Sequence, residues 1–123
     1  MSDPSPEAIP DNSALKRLRK KLTIEVLFMW ILRLLSEGDK YAYELREEVS
    51  KRFNFSPATV TSYAVLYKMA REGLVVAIDR SSLFPNRKYY SITPLGQQTL
   101  DFSKKIIDHY RSLLELDSSP SES

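Results

Sequence analysis

The sequence predicts a mainly α-helical domain with one small β-hairpin, an α+β fold of the winged helix-turn-helix type with long N- and C-terminal helices. Three observations carry that prediction. Glu72-Gly73-Leu74-Val75 reads as a helix closing at glycine and passing into a strand, because glycine adopts the left-handed conformation at a helix end at little steric cost. Arg87 to Gly96 reads as a second strand and then a capped helix start, with Thr93 as the cap and Pro94 at the first helical position, where its missing N–H costs nothing. Leu22 to Leu35 is a long apolar stretch and Leu95 to Leu114 carries an apolar stripe at helical spacing, on either side of a shorter helical pair.

In chain order, residues 1–13 are expected to form a disordered tail, because Pro4, Pro6 and Pro10 lie there among small and acidic residues. Residues 14–116 are the folded domain, and the Ser/Pro/Glu segment over residues 117–123 is a second tail. Ser13 is expected to cap a long first helix from Ala14 to Ser36, ended by Gly38. Its second half, Leu22 to Leu35, is apolar nearly all round and must be covered on most sides. So small a body has few elements for that task, so a second subunit is expected to supply part of the cover.

Ala42 to Phe53 is an amphipathic helix with Leu45 and Val49 on one face. Asn54-Phe55 makes a turn, and Ser56-Pro57 is expected to open a third helix with the same cap-plus-proline device. On that helix Tyr63, Leu66, Met69 and Ala70 are assigned to the buried face, which turns Thr61, Val65 and Lys68 outward. Two helices joined by a short turn, the second with a small, polar and basic outer face, make a helix-turn-helix. The hairpin follows as Leu74 to Ile78 and Lys88 to Ile92, joined by the turn formers of Asp79 to Asn86. The last helix, Pro94 to about Leu116, carries Leu95, Phe102, Ile106, Tyr110 and Leu113 at helical spacing, with no later element to pack on. Such a stripe calls for a partner subunit.

Composition narrows the chemistry. There is no cysteine, hence no disulfide or thiolate metal site, and His109 is the one histidine. The three glycines, Gly38, Gly73 and Gly96, have structural tasks, which leaves none for a phosphate loop. The adjacent acids Glu47 and Glu48 diverge on their helix and cannot form an acid–base dyad. Neither an enzyme nor a metal or other cofactor is expected. The stretch Leu22 to Leu35 is too short for a bilayer and is interrupted by Glu25 and Arg33, so a soluble cytoplasmic protein, associated with the nucleoid, is expected. The formal net charge of +2 hides a partition: between residues 13 and 116 stand 18 Lys and Arg against 11 Asp and Glu, a balance of +7. That sign suits a polyanionic partner.

Three stretches together resemble the PadR family of winged-helix transcriptional regulators, in particular its shorter members with a single C-terminal helix. They are Tyr41-Ala42-Tyr43-Glu44-Leu45, then Tyr63 to Val75, and finally Arg87 to Thr93 with Gly96. Ala42 and Ala64 depart from a glycine and a frequent proline of the family pattern, and Ser56 to Ser62 is about two residues longer. The resemblance implies a homodimer built by the first and last helices, presenting two recognition helices to a pseudo-palindromic operator on double-stranded DNA. It also implies a small aromatic effector, since some family members respond to phenolic acids or planar drugs. Operator occlusion by a repressor is the expected mode.

The candidate DNA-contacting residues are Ser56, Thr59, Thr61, Ser62 and Lys68 on the third helix and Arg80, Arg87 and Lys88 on the wing. Lys16, Arg17, Lys20, Tyr41 and Tyr63 are candidates for further phosphate contacts. The run Lys16 to Lys21 reads equally as a phosphate clamp or as the solvated end of a helix. Leu83-Phe84-Pro85 at the wing tip reads as a minor-groove wedge or as ordinary loop cover. For the dimer interface the candidates are Leu22, Val26, Met29, Trp30, Phe102, Ile106, Tyr110 and Leu113. Phe28, Met29 and Trp30 line an effector pocket or simply the core. The third helix offers no Asn, Gln or Arg before Arg71, so a winged-helix module that contacts only proteins remains the alternative.

Overall fold

The computed structural model describes residues 10–79 and 87–116. Helix α1 spans Ser13–Leu22, and its cap is Asn12, whose Oδ1 accepts from the Leu15 N–H at 2.9 Å. The expected cap at Ser13 is thus corrected by one position. The expected single helix to Ser36 is also corrected, because the chain breaks at Thr23 (φ −120°, ψ −89°) and passes through a 3-10 turn, Ile24–Val26, into α2, Leu27–Leu35. The Thr23 hydroxyl donates to the Arg19 carbonyl at 2.7 Å, competing locally with the helix ladder. Trp30 Nε1 donates to the Leu22 carbonyl at 2.9 Å, satisfying an acceptor that the break leaves without a helical partner.

Helix α2 is the axis of the core. Leu27, Met29, Ile31, Leu32, Leu34 and Leu35 are all buried within this one chain. Covering them are α3 (Ala42–Phe53), α4 (Thr59–Arg71), α5 (Pro94–Leu114) and strand β3 (Tyr89–Ile92). The cover of which a second subunit was expected to supply part is therefore provided for these six residues by the chain itself. Its all-round hydrophobicity reflects a central position among three helices and a sheet.

Strand β1 (Lys40–Tyr41) leads directly into α3 and pairs antiparallel with β3, Lys40 opposite Tyr90 and Tyr41 opposite Tyr89. Strand β2 (Val75–Ile78) flanks β3 on the other side, with Val75 opposite Ile92, so the sheet order is β1-β3-β2. The two hairpin strands match their expected positions, while β1, at two residues, is too short to leave an alternating pattern. Helix α3 keeps its expected bounds and buries Leu45 and Val49, and Asn54 closes it in the left-handed conformation (φ 63°). Helix α4 begins later than expected, at Thr59 after Ala58, with no side-chain cap. Ser56 instead meets the Ser50 hydroxyl at 3.0 Å, and Pro57 is buried ahead of the helix.

The base of the wing is tied to the body at two glycines. Gly73, at φ +80°, closes α4, and the following Leu74 N–H donates to the Met69 carbonyl at 2.9 Å. Thr93 accepts from the Gly96 N–H at 3.0 Å as the expected cap of α5, and its hydroxyl donates to the Gly73 carbonyl at 2.5 Å. A Cβ on Gly96 would lie 2.1 Å from the Leu74 carbonyl oxygen, so only glycine lets α5 cross the start of the wing this closely. Beyond Leu100 no residue of α5 is buried. Among the described residues no helix is long and apolar enough to cross a membrane, and no cluster of His, Asp and Glu could hold a metal ion.

Candidate nucleic-acid interface

The phase of α4 decides which side chains this motif presents. Leu66 and Met69 point inward under two alternatives: the inner stripe is completed by Tyr63 and Ala70, or by Ser62. Hydrophobicity selects the first, and in the structure Ser62 takes the centre of the inner face while Tyr63 and Ala70 stay partly buried against the core at its edge. Ser62 is 3% exposed, and its hydroxyl is satisfied by donating to the Ala58 carbonyl at 3.0 Å, so a polar residue sits in the core without an orphaned group. Tyr63 moves to the flank, where its ring stacks on Tyr67 with centroids 6.3 Å apart.

The outward ridge of α4 is consequently Val60, Ala64 and Tyr67, with Val60 81% exposed and Arg71 exposed beside its C-terminal end. Val60, Ala64 and Tyr67 are not among the expected contacts. Their i, i+4, i+7 spacing opposite Leu66 was a usable signal, masked by the apolar character of Val60 and Tyr67. Of the expected contacts, Thr59 and Lys68 are exposed, Thr61 is half-buried and Ser62 is turned inward. Val65, expected to point outward, packs against the core. Ser56 lies in the turn before the helix, away from the seat at its first N–H groups that was expected of it. Arg80 and the Leu83-Phe84-Pro85 segment lie outside the described residues.

Beside this ridge the start of α3 and the wing gather aromatic rings and cations. Tyr41 packs on Tyr89 (5.4 Å) and Tyr43 (6.5 Å), and the Arg87 guanidinium lies 4.6 Å from the centre of the Tyr41 ring. Lys88 Nζ lies 5.3 Å from the Tyr67 ring and 6.0 Å from that of Tyr90. Such contacts hold a cation in place while leaving it open to an anion. Tyr41, Ala42, Tyr43, Tyr63, Arg87 and Lys88 line one groove of about 390 Å³. Its floor includes the first residue of α3, the positive end of that helix dipole. Behind it the Tyr90 hydroxyl is buried with no hydrogen-bond partner among the described residues, and burial raises its pKa above the usual tyrosine value. Four sequence candidates, Tyr41, Tyr63, Arg87 and Lys88, are thus brought together. Lys16, Arg17 and Lys20 stand exposed on α1, where Lys16 pairs with Asp11 at 3.2 Å.

A second cavity, about 420 Å³, opens along the other flank of α4, between Phe28, Val65, Lys68, Glu72 and Thr99. Of the three residues considered for an effector pocket, Phe28 lines it. Met29 is buried in the core, and Trp30 packs on Phe53 (4.7 Å) and Phe55 (6.1 Å). The expected interface residue Met29, only 8% exposed, is therefore corrected to a core residue, and Val26 and Trp30 are half-buried against their own chain. Leu22, Phe102, Ile106, Tyr110 and Leu113 are exposed.

Residues 31–101, from the middle of α2 to the first third of α5, match the model of the transcriptional regulator PadR-like family. The chain belongs to that family. Membership places it among transcriptional regulators rather than enzymes. An uncharacterized protein from Lysinibacillus sphaericus is 35% identical over 89 residues, which cover 70% of this PadR-like chain and 82% of that one. A PadR-like transcriptional regulator from Bacillus cereus is 30% identical at a TM-score of 0.61, covering 80% of this chain and 99% of that one. Bacillus subtilis PadR, solved in complex with operator DNA, shares the fold at a TM-score of 0.52 and 23% identity over 80% of this chain and 51% of its own. The winged-helix architecture read from the sequence is thus the family's own.

Proposed function

We propose that this PadR-like regulator acts as a cytoplasmic homodimer that binds double-stranded operator DNA sequence-specifically and represses by occluding the site. The observation that carries this reading is the juxtaposition on one surface of the outward ridge of α4 with the tyrosine-lined, Arg87- and Lys88-bearing groove. A ridge fit for the major groove and a cationic groove fit for adjacent phosphates are what a winged helix needs to dock on a duplex. Thr59, Lys68 and Arg71 would flank the ridge, and Tyr41, Tyr63, Arg87 and Lys88 would hold backbone.

The dimer reading is supported by the second half of α5. Phe102 is 61% exposed and Tyr110 64%, and Ile106 and Leu113 continue the stripe; an apolar face of this extent on a projecting helix fits a second copy of itself. A small aromatic effector would fit the cavity at Phe28 and Lys68, because it shares a wall with α4, and it would act by binding two dimer geometries unequally. Fluorescence anisotropy with labelled duplexes at two salt concentrations tests the central proposal. Binding that weakens steeply with salt is expected, and absence of binding at low salt would favour the protein-contact module instead. Light scattering should return a dimer at micromolar concentration.

A further inference from the structure

The ridge of α4 makes an unusual reader. Its most exposed large apolar side chain is Val60, in the first turn of the helix, and Ala64 follows one turn later on the same line. Tyr67 lies next along it, 48% exposed, its ring already engaged by Tyr63 and by Lys88. No other part of the described chain covers Val60. The ridge is bordered by Lys68, Arg71 and Lys88, so whatever covers it brings negative charge alongside an apolar strip. A DNA major groove has both properties, with phosphate walls and, on its floor, the thymine 5-methyl group as its apolar base feature. Recognition helices present their N-terminal residues to base edges, and the exposed ones here are Thr59 and Val60 in the first turn and Ala64 in the second, so the apolar share of the reading surface is a valine and an alanine.

We infer that Val60 and Ala64 are the specificity-determining residues of this regulator and that each packs on a thymine methyl group in the operator half-site. The inference rests on the DNA-binding reading above. It also explains how a helix without Asn, Gln or Arg before Arg71 can still choose a sequence: discrimination comes from methyl contact rather than bidentate hydrogen bonding.

The test begins by selecting bound sequences from a random duplex pool with the full-length protein, then replacing each thymine of the selected half-site by uracil, which removes the methyl group alone. Thymine should be enriched at two or more positions per half-site. Each contacted thymine replaced by uracil should weaken binding about fourfold, the factor expected from one methyl-sized group no longer buried. Val60→Ala should abolish the uracil effect at one position and leave the salt dependence unchanged, and the exposed position of Val60 makes loss of folding no concern. Tight binding that is indifferent to every uracil substitution, or selected sites without thymine preference, would overturn the inference and leave the DNA-binding reading standing. Failure to bind any duplex at low salt would overturn both.

Discussion

Replacing Arg87 and Lys88 together with glutamine isolates the electrostatic share of DNA binding. Both cations sit over tyrosine rings, Arg87 4.6 Å from Tyr41 and Lys88 5.3 Å from Tyr67, on the groove beside α4. Glutamine keeps a polar, flexible stem and removes the charge, together with its contacts to the tyrosine rings. Each phosphate neutralised contributes about −0.9 to the slope of log K against log salt, so two per wing and two wings per dimer amount to about −3.6. Between 50 and 200 mM salt the wild type should therefore lose about 150-fold more affinity than the double variant. Anisotropy titrations over that range measure both slopes, with far-UV circular dichroism confirming the fold. A double variant that binds more weakly at every salt concentration yet keeps the wild-type slope would refute the placement of these cations on phosphates. A slope difference near −1.8 would instead mean that one wing per duplex engages.

Three further outcomes follow from the geometry. Gly96→Ala would force a Cβ to within 2.1 Å of the Leu74 carbonyl oxygen and 2.9 Å of Ile92 Cγ1; backbone must shift, so urea denaturation should show a loss of about 2–4 kcal/mol, and a loss below about 1 kcal/mol would contradict the close crossing. Hydrogen bonds from Arg52, at 2.7 Å to both oxygens, and then from Arg33 hold the Glu37 carboxyl at about 2, below its ordinary 4.5. Because the folded pKa is the depressed one, this contribution is complete above about 4.5 and is lost as pH falls toward about 2; Glu37→Gln should flatten the acid limb of a melting-temperature profile over that window, and an unchanged limb would count against the network. Ile106→Glu with Tyr110→Glu, both on the exposed stripe of α5, should turn the dimer into a folded monomer by light scattering and weaken operator binding; a persistent dimer would move the interface elsewhere.

Much of the fold was legible because its punctuation is local. Gly73 ends a helix through its own backbone freedom, and Thr93-Pro94 starts one through a side chain and a ring. The strands of the wing, the full extent of α3 and the uncovered stripe on α5 followed from periodicity and β-branching. The break at Thr23 was harder to see. A β-branched threonine is tolerable inside a helix, and what settles the break is Trp30 taking the Leu22 carbonyl eight residues away. Strand β1 exists only because β3 lies beside it.

The candidate site divides along the same line. That Tyr41, Tyr63, Arg87 and Lys88 would be grouped as candidates was readable from charge, order and spacing, since those features survive any rotation of the elements that bear them, and the structure brings the four to one groove. The orientation of α4 was not readable. Leu66 and Met69 fit either of two stripes, and hydrophobicity favours Tyr63 over Ser62 for the core. Only the packed structure supplies the Ala58 carbonyl that lets Ser62 be buried, and with it the rotation that leaves Val60, Ala64 and Tyr67 outermost. Likewise the all-apolar α2 carries the same signal whether its cover is a partner or its own chain; the placement of α3, α4, α5 and β3 around it decides for the latter, because burial is a property of neighbours and not of the segment.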